Sequence, residues 1–177
     1  PDSRFVKFGV AYGYGERNLD RFKEKYGLDP LRDDMYDNDL HLKWDGWKRA
    51  QVTGLVQKIS AFVRQKASGW KISCAVVPSQ ERAYAYAFQD WPLWLEQGTV
   101  DYVVLMNYAR DGRLAGSLLK GALAYRGQGE IYTGVGVFLL KKKEELRQAY
   151  DAALSAHPDG VVFFSYDELR DLGAPWL

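Results

Sequence analysis

Three short clusters in the 177-residue sequence set a carboxylate beside amide and hydroxyl groups: Ser79-Gln80-Glu81, Asn107-Tyr108-Ala109-Arg110-Asp111 and Ser165-Tyr166-Asp167. Residues of these types suit acid–base chemistry on a polyhydroxylated substrate. One carboxylic acid protonates a leaving oxygen, a second carboxylate serves as base or nucleophile, and neutral polar groups hold sugar hydroxyls. Asp111 is the first candidate for general acid or base and Glu81 the second. Gln80, Asn107, Tyr108, Ser165, Tyr166 and Asp167 would bind substrate, and Arg110 would orient a carboxylate or meet an acidic sugar. Plainer roles compete with these. Loop carboxylates are usually solvated, and Asp167 could cap a final helix. Asn107-Tyr108 is the more specific signal, because two bulky polar side chains end an apolar run on opposite parities. Left buried without partners, each would cost about 1–3 kcal/mol.

Other chemistries find less support. His41 and His157 lie far apart, without metal-ligand spacing or a cysteine cluster. Nucleophile-elbow, phosphate-loop and dinucleotide motifs are absent, and Gly134-Val135-Gly136 sits inside an apolar run instead of opening a helix. No cofactor is expected from these patterns. Lys71 opens a strand, the wrong rim for a Schiff base, while Lys141-Lys142-Lys143 keep a phosphate-binding barrel as a minor reading. The near balance of 24 basic and 23 acidic side chains, net +1, argues against a nucleic-acid partner. No apolar run is long enough to span a bilayer. The lone Cys74 reads as a small buried hydrophobe.

The elements that would position the clusters follow from hydrophobic patterning. Apolar runs at 71–78, 101–108, 131–140 and 160–169 recur about every thirty residues, the span of a βαβ unit. They are apolar on both parities, as strands covered on both faces are. Between and before them the spacing predicts helices over 19–30, ended by Gly27; over 47–66, with Val52, Leu55, Val56, Ile59 and Val63 as one buried stripe; and over 89–97, with Asp90 as cap and Pro92 in the first turn. Further helices are expected over 114–125 and 144–156, and a solvated loop over 32–41. This alternation implies a parallel sheet. Two architectures satisfy it. One is the second half of a (β/α)8 barrel whose first half precedes Pro1, the other a small doubly wound sheet complete in itself. In both, ligands bind at the carboxyl ends of the strands, where the three clusters fall.

Four segments carry a resemblance: WDGWKRAQV (44–52), ISCAVVP (72–78), QDWPLWLEQGTVDYVVLMNY (89–108) and GVVFFSY (160–166). In this order and spacing they resemble the glycosyl-hydrolase-like family ten domain of bacterial, usually exported, barrel proteins. Pro1-Asp2 resembles the residues that follow that family's strand-four motif, and GYGERNLDRFKEKYGLDP (13–30) its next insertion. The resemblance implies strands five to eight of a (β/α)8 barrel. It makes 1–177 a single partial domain, with 1–46 a loop-rich insertion and 47–177 four βα-type units. It also implies hydrolysis of O-glycosidic bonds in a polysaccharide or cell-wall glycan, and a location outside the cell or in the periplasm. The barrel's first half would lie upstream and carry the strand-four acidic motif. Leu105 stands where members often have proline. A barrel that binds glycans without cleaving them is the alternative. Asp90, Trp91 and Trp94 read as cap and packing. Expressed alone, these residues are expected to associate through open sheet edges.

Overall fold

A computed structural model describes residues 13–31, 38–67 and 69–173. The expectation for Pro1-Asp2 falls outside them, as does most of the predicted 32–41 loop. The described residues begin with two helices, α1 (Glu16–Tyr26) and α2 (Asn38–Lys66). Gly27 ends α1 in the left-handed conformation, at φ 67°. The start of α2 lies nine residues before the expected Trp47 and absorbs Asn38 to His41 from the predicted loop. Leu40, Trp44 and Trp47 explain the extension. At four- and three-residue spacing they make one apolar face, which packs on Phe22 of α1, with the two indoles stacked 5.0 Å apart.

Four strands follow: β1 (Ser73–Val76), β2 (Tyr102–Leu105), β3 (Glu130–Gly136) and β4 (Gly160–Phe164). All are parallel and lie in sequence order, β1-β2-β3-β4, as in a segment of an α/β barrel. The connections carry α3 (Gln80–Tyr86) and α4 (Trp91–Glu96), then α5 (Gly112–Leu123), then α6 (Lys143–Leu154), and β4 leads into α7 (Tyr166–Asp171). A doubly wound sheet reverses its strand order at a switch point. No reversal occurs among the described strands.

Burial is one-sided, a correction to the expectation of strands covered on both faces. Val76, Val103, Leu105 and Ile131 are buried with Trp91, Trp94 and Leu95 against the helices. Residues of the other parity, Ser73, Ala75 and Phe164 among them, are exposed, and Tyr102, Val104, Tyr132 and Val162 are half-buried. The apolar arc of α2 divides in the same way. Val52 and Val56 pack into the core, whereas Leu55, Ile59 and Phe62, spaced four and three apart, stand exposed. The expected single buried stripe is thus two stripes, one of them uncovered.

The amino ends of the strands are tied by a repeated device. Asp101 before β2 accepts from Ile72 N at 2.6 Å, and Asp159 before β4 accepts from Ile131 N at 2.7 Å. Each meets an arginine, Arg64 at 3.2 Å and Arg126 at 3.1 Å respectively. Burial acts to raise the Asp101 pKa, but the Ile72 N–H and Arg64 outweigh it and hold the group below its ordinary range.

Candidate functional site

The open face of the sheet is built from rings lying over glycines. Tyr132 and Gly160 are cross-strand partners, and a Cβ at Gly160 would fall 2.7 Å from the Tyr132 ring. Tyr102 stacks on the same ring at 4.7 Å. One layer nearer the carboxyl ends, Tyr108 repeats the arrangement over β3. Added Cβ atoms would meet its ring at 3.3 Å from Gly134 and at 3.2 Å from Gly136. The Gly134-Val135-Gly136 run inside a strand therefore makes a bed for Tyr108. Phe138 and Phe164 meet that ring edge-on, at 5.4 and 5.5 Å. Both are exposed, so the three rings form an accessible aromatic rim over the ends of β2, β3 and β4. The Tyr108 hydroxyl has no hydrogen-bond partner among the described residues, and burial of the ring pushes its pKa up. Phe164 was not singled out in the sequence because it reads as one more apolar residue of a strand. The signal that could have found it was its position at the strand's end. The Phe164–Ser165 peptide is cis.

The carboxylates stand at neighbouring strand ends. Glu81 lies in the first turn of α3, shortly after β1. Ser79 caps that helix, its hydroxyl accepting from Arg82 N at 3.3 Å and donating to Glu81 Oε2 at 2.9 Å. The backbone N–H of Glu81 and the Ser79 hydroxyl hold the Glu81 carboxyl below its ordinary pKa. Asp111 is the N-cap of α5, with Oδ1 accepting from Arg113 N at 2.8 Å. Gln80 is half-buried at the start of α3. Ser165 precedes α7 without a side-chain cap, Tyr166 is exposed, and Asp167 pairs with Arg170 at 3.2 Å. Asp167 thus sits in the first turn of the last helix and does not cap it.

Asn107 requires a correction. It does not share the side of Tyr108 but turns toward the helices. Its Nδ2 donates to Ala115 O at 2.9 Å and to Thr133 Oγ1 at 3.3 Å. The opposite parity of the two residues, visible in the sequence, sends them to opposite faces of the sheet. Arg110 borders the same helix-side space as Asn107. The three expected clusters therefore divide: Tyr108 joins the open rim, while Asn107 and Arg110 line a separate cavity.

Glu145 Oε2 accepts from Lys141 N at 2.8 Å, so the chain's own carboxylate occupies the start of α6. Trp91 and Trp94 are buried packing residues, as expected, with Trp94 Nε1 donating to Thr53 Oγ1 at 3.0 Å. Asp90 holds the N-cap position of α4 without a capping hydrogen bond.

Gln89 has a role that apolar patterning did not suggest. Carbonyls of Ile72 and Val76 accept from residues on the β2 side, so the alternate residues Ala75 and Val77 present their polar groups to the outer edge. Gln89 takes both, its Oε1 accepting from Val77 N at 2.9 Å and its Nε2 donating to Ala75 O at 3.5 Å. One side-chain amide fills the place of a neighbouring strand.

A family model described as glycosyl hydrolase-like 10 matches residues 6–151 of the chain. No curated protein matches it.

Proposed function

The chain belongs to the glycosyl hydrolase-like 10 family, and on that premise we propose that it forms the carboxyl-terminal half, strands five to eight, of a (β/α)8 barrel that hydrolyses O-glycosidic bonds of a polysaccharide or cell-wall glycan. The observation that carries the reading is the aromatic rim of Tyr108, Phe138 and Phe164, open on the uncovered face with Glu81 and Asp111 at the adjacent strand ends. Aromatic faces suit the C–H faces of sugars, and strand ends are where barrel enzymes assemble their chemistry.

Two uncovered surfaces support the half-barrel. The open parity of the sheet is the surface that a closed barrel turns inward, and the Leu55–Ile59–Phe62 stripe lies on the helix that precedes β1. An upstream segment carrying the first four strands would cover both. The reading includes an exported location, extracellular or periplasmic.

In this reading Glu81, held ionised by its hydrogen bonds, serves as base or nucleophile, because a carboxyl with a depressed pKa is a poor proton donor at neutral pH. Asp111 serves as general acid once the upstream half closes and dries the cleft. Gln80, Tyr108, Ser165, Tyr166 and Asp167 hold sugar hydroxyls. A second reading, glycan binding without cleavage, draws on the engagement of Asp111 as a helix cap. The two separate in the full-length protein assayed on soluble cell-wall oligosaccharides. Under the hydrolase reading Glu81→Ala and Asp111→Ala abolish cleavage and retain binding, whereas Tyr108→Ala weakens binding. Undiminished cleavage in both carboxylate variants rejects their assignment. Binding by an intact protein that cleaves nothing supports the second reading.

A further inference from the structure

The face of α2 that α1 covers continues beyond the reach of α1. Trp44, Trp47 and Gln51 follow one another at three- and four-residue spacing. The two indoles pack on Phe22, and Gln51 Oε1 accepts from Arg21 Nη2 at 2.8 Å. The next residues on that face are Leu55, Ile59 and Phe62, and they are 50–62% exposed. An established helix–helix interface thus loses its partner after Gln51 while its apolar character persists.

Charge indicates what the missing partner carries. Residues 46–80 contain six basic side chains and no Asp or Glu. Four of the six are engaged. Lys48 meets Asp45 at 2.9 Å, Arg64 meets Asp101 at 3.2 Å and Lys71 meets Glu130 at 3.0 Å. Arg49 donates to Tyr84 O at 2.6 Å and lies over the Tyr84 ring. The other two, Lys58 and Lys66, are exposed and form no ion pair among the described residues. Lys58 is three residues from Leu55 and four from Phe62, and Lys66 is four beyond Phe62, so both border the apolar stripe.

We propose that the stripe is covered by a helix of the upstream half whose carboxylates pair with Lys58 and Lys66. The inference rests on the half-barrel reading and adds the chemistry of the contact. Eight residues separate the two lysines, about 12 Å along the helix at 1.5 Å per residue. The carboxylates of the covering helix therefore stand about two turns apart, with apolar side chains at three- and four-residue spacing between them. A second copy of this chain is a poor match, because a two-fold contact through the stripe would set unpaired lysines of one copy beside those of the other.

Carbodiimide cross-linking of the full-length protein tests the proposal, since the reagent joins an amine only to a carboxylate in contact with it. Peptide mapping should find Lys58 and Lys66 each joined to an Asp or Glu of one upstream helix, the two acceptors about seven or eight residues apart. The Lys58→Glu/Lys66→Glu variant should lose both links and melt about 2 °C lower or more. Links from both lysines only to a second copy overturn the proposal. So does binding of the wild type, but not of the double variant, to phosphatidylglycerol vesicles, which would give the stripe to an anionic lipid surface. Acetic anhydride labelling separates this inference from the reading beneath it. If Lys58 and Lys66 react as fast in the folded full-length protein as in urea, the stripe is uncovered and the half-barrel reading falls with the proposal. If they are protected yet join no upstream carboxylate, the half-barrel stands and the carboxylate pairing is overturned.

Discussion

Two glycines of β3, two residues apart, should respond in opposite ways to the same substitution. In Gly136→Ala the new methyl would lie 3.2 Å from Tyr108 Cβ and Cδ1 and 3.1 Å from Phe138 Cε1. Comfortable carbon contacts are about 3.5–4.0 Å, so the rings must give way by a few tenths of an ångström. Phe138 is exposed and can swing aside, which keeps the cost in stability small, under about 1 kcal/mol. The rim loses its geometry all the same. Loss of aromatic contact worth about 0.5–1.5 kcal/mol weakens glycan binding roughly two- to twelvefold. In Gly134→Ala the methyl would lie 2.7 Å from the carbonyl oxygen of Leu105, and the main chain of β2 must move. Overpacking of this kind costs about 1–3 kcal/mol, and a chain of this size loses roughly 2–4 °C of Tm per kcal/mol. Thermal melts and oligosaccharide titrations of both variants in the full-length protein read the two effects separately. The reasoning is refuted if Gly136→Ala binds glycan within about twofold of the parent while Tyr108→Ala does not. An unchanged Tm in Gly134→Ala would be equally damaging, since it would show that the β2–β3 approach is not tight.

Three further outcomes are expected. Lys48 is buried, 2.9 Å from Asp45 and 4.1 Å from the centre of the Phe88 ring, and burial, outweighing Asp45, pulls its pKa down. Its folded state therefore disfavours the proton, so wild-type stability should rise as pH climbs from the lowered folded pKa toward the unfolded value of about 10.4. Lys48→Met should match or exceed the wild type at pH 7 in denaturant titrations, with its relative advantage shrinking at alkaline pH. Asp101→Asn should cost about 1–3 kcal/mol at neutral pH, read by the same titrations, through loss of charge-assisted bonds to Ile72 N and Arg64. Because the folded pKa is depressed, that difference should persist above the unfolded value of about 3.9 and fade as pH falls below it toward the folded pKa. The 177-residue chain expressed alone should associate through its uncovered apolar surfaces, and light scattering showing a monodisperse monomer would count against the half-barrel.

Much of the architecture was legible because the four apolar runs have strand composition and βαβ spacing. Their two-sided apolarity misled in an instructive way. Tyr102, Val104, Tyr132, Val162 and Phe164 look like the inner residues of a covered strand, yet in this chain they form an open face. The pattern shows that a residue suits burial and is silent about which part of the protein supplies the cover. The start of α2 was obscured because Asp and Asn between Leu40 and the preceding loop read as solvated linker, while Leu40, Trp44 and Trp47 already had helical spacing. At the site, parity could separate Asn107 from Tyr108, but a partner such as Ala115 O is a backbone atom that no side-chain pattern reveals. The glycines of β3 were visible as an oddity, and their meaning required the ring that lies across them.

The amide of Gln89 has a consequence for the order in which a barrel could close. With Ala75 O and Val77 N already occupied, the outer edge of β1 near its carboxyl end is not a free template. A strand arriving from upstream can dock near Ser73 without competition, then must either stop there or exchange its own peptide groups for the amide, one pair for another. Such an exchange would conserve the number of hydrogen bonds. Gln89→Leu removes the placeholder and leaves that stretch of edge unguarded, so that in the proposed barrel an upstream strand would compete there with any other that passes.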